Sequence, residues 1–306
     1  MRDRPRTLER SGAQLYREFR TQEEIDEQYR IDAIEPDFIE AITRHAQWSA
    51  ATREELTCRL GVRYGPTLDE TFDFFPADAA GAPVLVFIHG GYWHAANSAK
   101  DFSLVARAAV SRGVSVAVAD YSLTPKVSLP EITRQMRALI AHLVRDGHEL
   151  GIDTDRVVVA GHSAGGQQVA QLMLTDWEGE YGLPADAVKA GLAISGLFDL
   201  SPFPYSWLAP RLLLTHDVVS RESPLFGVRH VPGELLVTYG GRETPEFARQ
   251  SAEFLAAWHA HGNAGAAFDL PGATHMSAFE GYADSGSELW RRTEWLFTGT
   301  GWRPRD

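Results

Sequence analysis

The chain has 306 residues, 44% of them hydrophobic, a formal net charge of −12 and one cysteine, Cys58. That size and apolar content suit a single α/β domain with one large core, and the acidic balance excludes a surface built for nucleic acid or an anionic membrane. A lone cysteine permits no internal disulfide, which fits a reducing, cytoplasmic compartment, and no apolar run approaches the ~20 residues of a membrane span.

Residues 1 to about 20 are charged and expected to be loose at the very start. The opening Met1-Arg2-Asp3-Arg4-Pro5-Arg6 leads into no apolar stretch of a signal peptide. Over 21–56 the pattern is helical. Glu23, Glu24, Glu27 and Arg30 form a solvated face, while Phe38, Ile39, Ile42 and Trp48 are spaced for burial. Residues 1–56 are therefore expected to pack over the main domain as an N-terminal helical cap.

Two strands, 58–64 and 71–75, are expected to form an antiparallel hairpin at a sheet edge. The continuous apolar run 83–88 suits a strand buried on both faces. It leads into His89-Gly90-Gly91-Tyr92-Trp93. The chain then alternates: helix 100–111, strand 114–119, helix 129–145, strand 156–160 and a helix to about 175. Strands at 190–194, 234–239 and 266–270 follow, with helices at 246–261 and 285–297. This alternation predicts a mostly parallel, doubly wound sheet with helices on both faces. Residues 201–231, with Phe203, Tyr205, Trp207 and four prolines, interrupt it. They read either as a loop packing its own aromatics or as a lid over a pocket.

Val157-Val158-Val159-Ala160-Gly161-His162-Ser163-Ala164-Gly165-Gly166 is a β-branched run ending in Gly-x-Ser-x-Gly. It has the pattern of a nucleophile elbow, a sharp turn whose strained serine tolerates only small neighbours. A serine hydroxyl needs a base, and the base an orienting acid. His275, in a small-residue loop after the last strand, stands where the base belongs. Glu243, at the C-terminal end of the preceding strand, stands where the acid belongs. Asp199 is the other candidate acid. Glu246 reads instead as a first-turn carboxylate favoured by the helix dipole. The His89-Gly90-Gly91 loop and the N–H of Ala164 can supply oxyanion donors. His162 is expected to be packed within the elbow, and His94 to be a polar loop residue or to line a pocket. His45, His142, His148, His216, His230, His259 and His261 scatter without pattern. No metal-ligand spacing, Gly-x-Gly-x-x-Gly or Walker motif occurs, so neither metal nor nucleotide is suggested.

Together, His89-Gly90-Gly91-Tyr92-Trp93, Asp120-Tyr121-Ser122-Leu123-Thr124-Pro125 and Gly161-His162-Ser163-Ala164-Gly165 resemble α/β-hydrolases of the kynurenine formamidase type, within the wider HGG-motif esterase and lipase group. Ser195-Gly196-Leu197-Phe198-Asp199-Leu200 and Thr244-Pro245-Glu246-Phe247-Ala248-Arg249-Gln250-Ser251 extend the resemblance over nearly the whole chain. It implies an α/β-hydrolase fold, a triad of Ser163, Glu243 and His275, and an oxyanion hole from Gly90, Gly91 and Ala164. The family's usual acid is Asp where Glu243 stands, so the acid loop must retract by about a methylene. The implied reaction is hydrolysis of N-formyl-L-kynurenine to L-kynurenine and formate, within tryptophan catabolism. It proceeds through a formyl-enzyme and needs no cofactor. Tyr92, Trp93, Tyr205 and Trp207 are the candidate aromatic walls. A carboxylesterase or another amidase would use the same residues, and a catalytically silent binding protein would keep the fold. The expected partner is a small aromatic amide or ester, with a homodimer allowed.

Overall fold

A computed structural model describes residues 14–301 and Arg303. The expectation of a loose start falls chiefly on residues 1–13, outside the described residues.

The helical segment divides into α1 (Gln22–Tyr29), α2 (Ile31–Ile34) and α3 (Phe38–Glu55). Thr21 opens α1 with a capping box: its hydroxyl accepts the Glu24 N–H, and the Glu24 carboxylate accepts the Thr21 N–H. In α3, Phe38 and Trp48 pack partly buried against the core as expected, but the rest of the inward face differs. Ile39 is 67% and Ile42 44% exposed, while Ala41, His45, Ser49 and Thr52 are buried. The reason lies in what α3 packs against. The 3-10 turn Ala99–Val105 approaches closely and presents polar backbone, which small and hydroxyl side chains satisfy. The Ser49 hydroxyl donates to the Asp101 carbonyl at 2.8 Å and accepts the Leu104 N–H at 3.2 Å.

β1 (Arg59–Arg63) and β2 (Thr71–Phe75) form the edge hairpin. β3 (Ala82–Ile88) is buried along its whole length. After α4 (Ala106–Ser111) come β4 (Ser115–Ala119), α5 (Leu129–Asp146), β5 (Ile152–His162) and α6 (Ala164–Met173). α7 (Trp177–Tyr181) and β6 (Ala190–Ile194) precede the 201–231 insertion, which holds the short helices α8 (Ala209–Leu212) and α9 (His216–Glu222). β7 (Glu234–Gly240), α10 (Pro245–Ala260), β8 (Gly265–Leu270) and α11 (Glu288–Thr298) complete the chain. The insertion is tied down by Phe203, whose buried ring packs edge-on against Tyr29, Tyr92 and Trp93.

The eight strands run β1-β2-β4-β3-β5-β6-β7-β8, with β2 antiparallel to β4 and the pairs from β4 to β8 parallel. The parallel register aligns strand ends: Ile88 pairs with Gly161, His162 with Ile194, Ile194 with Thr238, and Gly240 with Leu270. The segments that follow β3, β5, β6, β7 and β8 therefore emerge along one sheet edge, where open α/β sheets place their ligands. Apolar layers cover both sheet faces. Among the described residues no helix is long and apolar enough to cross a membrane.

Candidate active site

Ser163 sits between β5 and α6 with φ 57° and ψ −118°, a strained conformation for a residue with a Cβ. The glycines around it permit this. A Cβ on Gly161 would lie 2.4 Å from the Gly165 carbonyl oxygen, and one on Gly165 2.0 Å from that of Ile88. Gly90 also comes close, since its Cβ would stand 3.0 Å from that of Ser163. Ser163, Gly90, Gly91 and His275 line one cavity of about 550 Å³.

His275 Nδ1 lies 2.9 Å from Glu243 Oε2. A carboxylate only accepts, so Nδ1 carries the proton and Nε2 is left as the ring's acceptor. The other glutamate oxygen, Oε1, accepts from the Ser195 hydroxyl and from the Gly240 N–H, each at 2.5 Å. The acid and histidine loops also meet directly: the Arg242 N–H donates to the Ala273 carbonyl at 3.0 Å. A Cβ on Gly240 would collide with that same carbonyl, at 2.5 Å. The two remaining acids are occupied elsewhere. Asp199 accepts from the Tyr16 hydroxyl at 2.7 Å and the Ser201 N–H at 2.9 Å. Glu246 accepts from Tyr29 and pairs with Arg249.

Three contacts escaped the sequence reading. The first is Ser195, held at φ 51°. The second is His162: it is buried as expected, and its Nε2 donates to the His275 carbonyl at 2.9 Å, linking elbow and histidine loop. Burial first, and the neighbouring His275 ring second, hold its pKa well below the usual histidine range, so it stays neutral. The third is Glu35, whose carboxylate accepts the backbone N–H groups of His275 and Met276. Of these, Ser195 and His162 lay in motifs singled out beforehand, and Glu35 did not.

In the HGG loop, the His89 ring is stacked between Tyr121 (4.4 Å) and Phe102 (5.2 Å). Burial lowers its pKa to about 4, so the ring is neutral. Its Nδ1 donates to the Gly90 carbonyl at 2.8 Å, and the Asn97 amide donates to the same oxygen at 3.1 Å. Fixing that carbonyl fixes the antiparallel Gly91 N–H of the same peptide plane. Gly91 stands at φ 116°, and a Cβ there would meet the Asn97 amide nitrogen at 2.6 Å. Ala164 opens α6, where first-turn N–H groups lack intrahelical acceptors.

Two of the four aromatic candidates line the cavity. Tyr92 and Trp207 meet edge-on at 5.4 Å on its wall. Trp93 does not: it is fully buried and its Nε1 donates to Gln167 Oε1 at 3.2 Å. Consecutive left-handed residues, Tyr92 at φ 49° and Trp93 at φ 58°, send one ring to the cavity and the next into the core. Tyr205, 45% exposed, lies on a separate shallow depression beside Leu15 and Gln22. The cap supplies wall residues that spacing did not reveal, including Phe38, Ile42 and Arg30; the insertion adds Arg211. His94 is also on the wall, its pKa lowered by burial and then by nearby Arg211. Among the described residues no three His, Cys, Asp or Glu side chains are grouped to hold a metal.

Residues 85–231 match a family model described as alpha/beta hydrolase fold. Kynurenine formamidase of Danio rerio is 27% identical over 233 residues, 74% of this chain and 77% of that protein. Its Salmo salar counterpart is 26% identical, over 75% of this chain and 79% of that protein. A crystal structure of a thioesterase candidate from Silicibacter sp. TM1040 superposes with a TM-score of 0.77 at 28% identity. The match covers 88% of this chain and 98% of that one.

Proposed function

Taking the chain as an α/β-hydrolase of the kynurenine formamidase type, we propose that it hydrolyses an aryl formamide, N-formyl-L-kynurenine, to the free aryl amine and formate. Ser163 Oγ attacks the formyl carbon and passes its proton to His275 Nε2. Glu243 holds the ring in the tautomer that can take it. The N–H groups of the Gly90-Gly91 loop and Ala164 receive the oxyanion, each such donor contributing ~3 kcal/mol. The C–N bond then breaks as His275 returns the proton to the departing nitrogen. Water, deprotonated by His275, releases formate from the formyl-serine.

The observation that carries this reading is the asymmetry of the cavity around Ser163. The loop side is tight, with Gly90 so close that a Cβ would touch the serine, which suits an acyl group as small as formyl. The rest of the wall includes the aromatic rings of Tyr92, Trp207 and Phe38, and it carries Arg211 as a cation for a carboxylate beside Arg30, which is paired with Asp32 at 3.6 Å. A reducing cytoplasmic setting agrees with the single, unpaired Cys58.

Cleavage of an ester or thioester by the same residues is the second reading, favoured by the Silicibacter neighbour. The deciding measurement is formate release from N-formyl-L-kynurenine by wild type and Ser163→Ala. Release by wild type alone supports the first reading. No release, together with Ser163-dependent cleavage of p-nitrophenyl acetate, supports the second.

A further inference from the structure

The end of α1 and the segment joining it to α3 touch three loops of the site, those of Gly90-Gly91, Glu243 and His275. The Gln28 carbonyl accepts from the Thr244 hydroxyl at 2.6 Å, one residue after Glu243. The Tyr29 carbonyl accepts from the Tyr92 hydroxyl, one residue after Gly91. The Tyr29 hydroxyl donates to Glu246 Oε2 at 2.7 Å and accepts from Gln250 at 2.8 Å. Finally, Glu35 Oε1 accepts the His275 N–H, and Oε2 the Met276 N–H at 3.3 Å.

Glu35 is committed to this task. Among the described residues its carboxylate makes no ion pair, and these two backbone groups are its hydrogen-bond partners. Pro36 follows it and restricts its backbone to the extended region, where it lies at φ −95° and ψ 114°. The loop it grips, Pro271-Gly272-Ala273-Thr274-His275, has few large side chains to anchor itself.

We infer that residues 28–35 form a clamp assembling the three loops, and that Glu35 is a positioning residue acting on His275 through its backbone. The inference rests on the reading of His275 as the base. Misplacement of a catalytic group by about 1 Å costs on the order of 10²-fold in rate.

The test compares Glu35→Ala, Glu35→Gln and Arg53→Ala in the full chain. Arg53 ties the same cap to the Lys100 carbonyl and the Ser103 hydroxyl, away from the three loops. Glu35→Ala is expected to lower kcat about 10- to 100-fold, by the same factor for N-formyl-L-kynurenine and p-nitrophenyl acetate, with KM unchanged. Glu35→Gln keeps one acceptor and falls between. Arg53→Ala lowers Tm and leaves kcat alone. The downfield proton resonance of His275 Nδ1, identified by its loss in Glu243→Ala, shifts or broadens in Glu35→Ala and not in Arg53→Ala. Wild-type kcat with an unmoved resonance in Glu35→Ala, or a matching kcat loss in Arg53→Ala, overturns the clamp. If wild type turns over neither substrate, the proposed substrate class fails, and the resonance alone still decides the clamp.

Discussion

Ser195 donates its hydroxyl to Glu243 at 2.5 Å, from a left-handed backbone position one residue past β6. With the Gly240 N–H on the same oxygen, it leaves Oε2 as the oxygen that meets His275. Glutamate is a methylene longer than aspartate, so its extra torsion needs such a lock. Ser195→Ala removes one charge-assisted hydrogen bond, worth ~1.5–3 kcal/mol. It is expected to lower kcat by about tenfold with little change in KM. Glu243→Gln presents an amide to groups that require a carboxylate and is expected to lower kcat by about 10⁴-fold. Steady-state kinetics on both variants, with circular dichroism to establish folding, checks this. An unaffected Glu243→Gln would overturn the acid assignment.

Gly165 has no room for a methyl group, because the obstacle is the Ile88 carbonyl, 2.0 Å from the Cβ position. Backbone cannot step aside as a side chain can. Gly165→Ala is therefore expected to destabilise by about 1–3 kcal/mol or more, seen as a lowered Tm in thermal unfolding. Gly272→Ala, where nothing lies within 4 Å of the added carbon, serves as the control and should leave Tm within a degree or so.

The buried, neutral His89 makes stability depend on pH. Below its ordinary pKa of about 6.5 the unfolded chain binds a proton there, whereas the folded chain does not until about pH 4. Stability is thus lost as pH falls from about 6.5 to 4, by up to ~3 kcal/mol for this group. His162, also held neutral, acts in the same direction. Asp120, pushed up to about 6 by burial, acts oppositely over about pH 4 to 6. Comparing variant with wild type cancels its share. Urea midpoints of His89→Gln between pH 4 and 7 should show a shallower acid slope than wild type. Equal slopes would refute the role of His89.

Trp207 and Tyr205 are two residues apart in the insertion, yet only Trp207 lines the cavity. Trp207→Ala is expected to raise KM for a substrate with an aromatic leaving group by about tenfold, for lost apolar contact of ~1.5 kcal/mol. Tyr205→Ala should leave both kcat and KM at wild-type values. Equal effects of the two would place the leaving group elsewhere.

What the sequence alone determined were features written in short range. The continuous apolar run of β3 suits a strand buried on both faces, and it is one. Gly161 and Gly165 around Ser163 are demanded by a turn whose strain is local. The alternation of strands and helices fixed a mostly parallel sheet, and chain order offered Ser163, His275 and either Glu243 or Asp199 as candidates near its strand ends. Tertiary structure alone decided how those ends are held and what faces the cavity. Glu35 lies 240 residues from the histidine whose N–H it accepts, and Ser195 lies 48 residues from Glu243. No periodicity encodes such pairs, because they arise from which loops the sheet register brings together. Side-chain direction was hidden for a related reason. Apolar spacing offered Ile39 and Ile42 to the core, but the polar backbone opposite α3 selected Ser49, and the Arg107 side chain meets Thr52. Tyr92 and Trp93 are adjacent and alike in kind, and two positive φ angles sent one to the cavity and the other to the core.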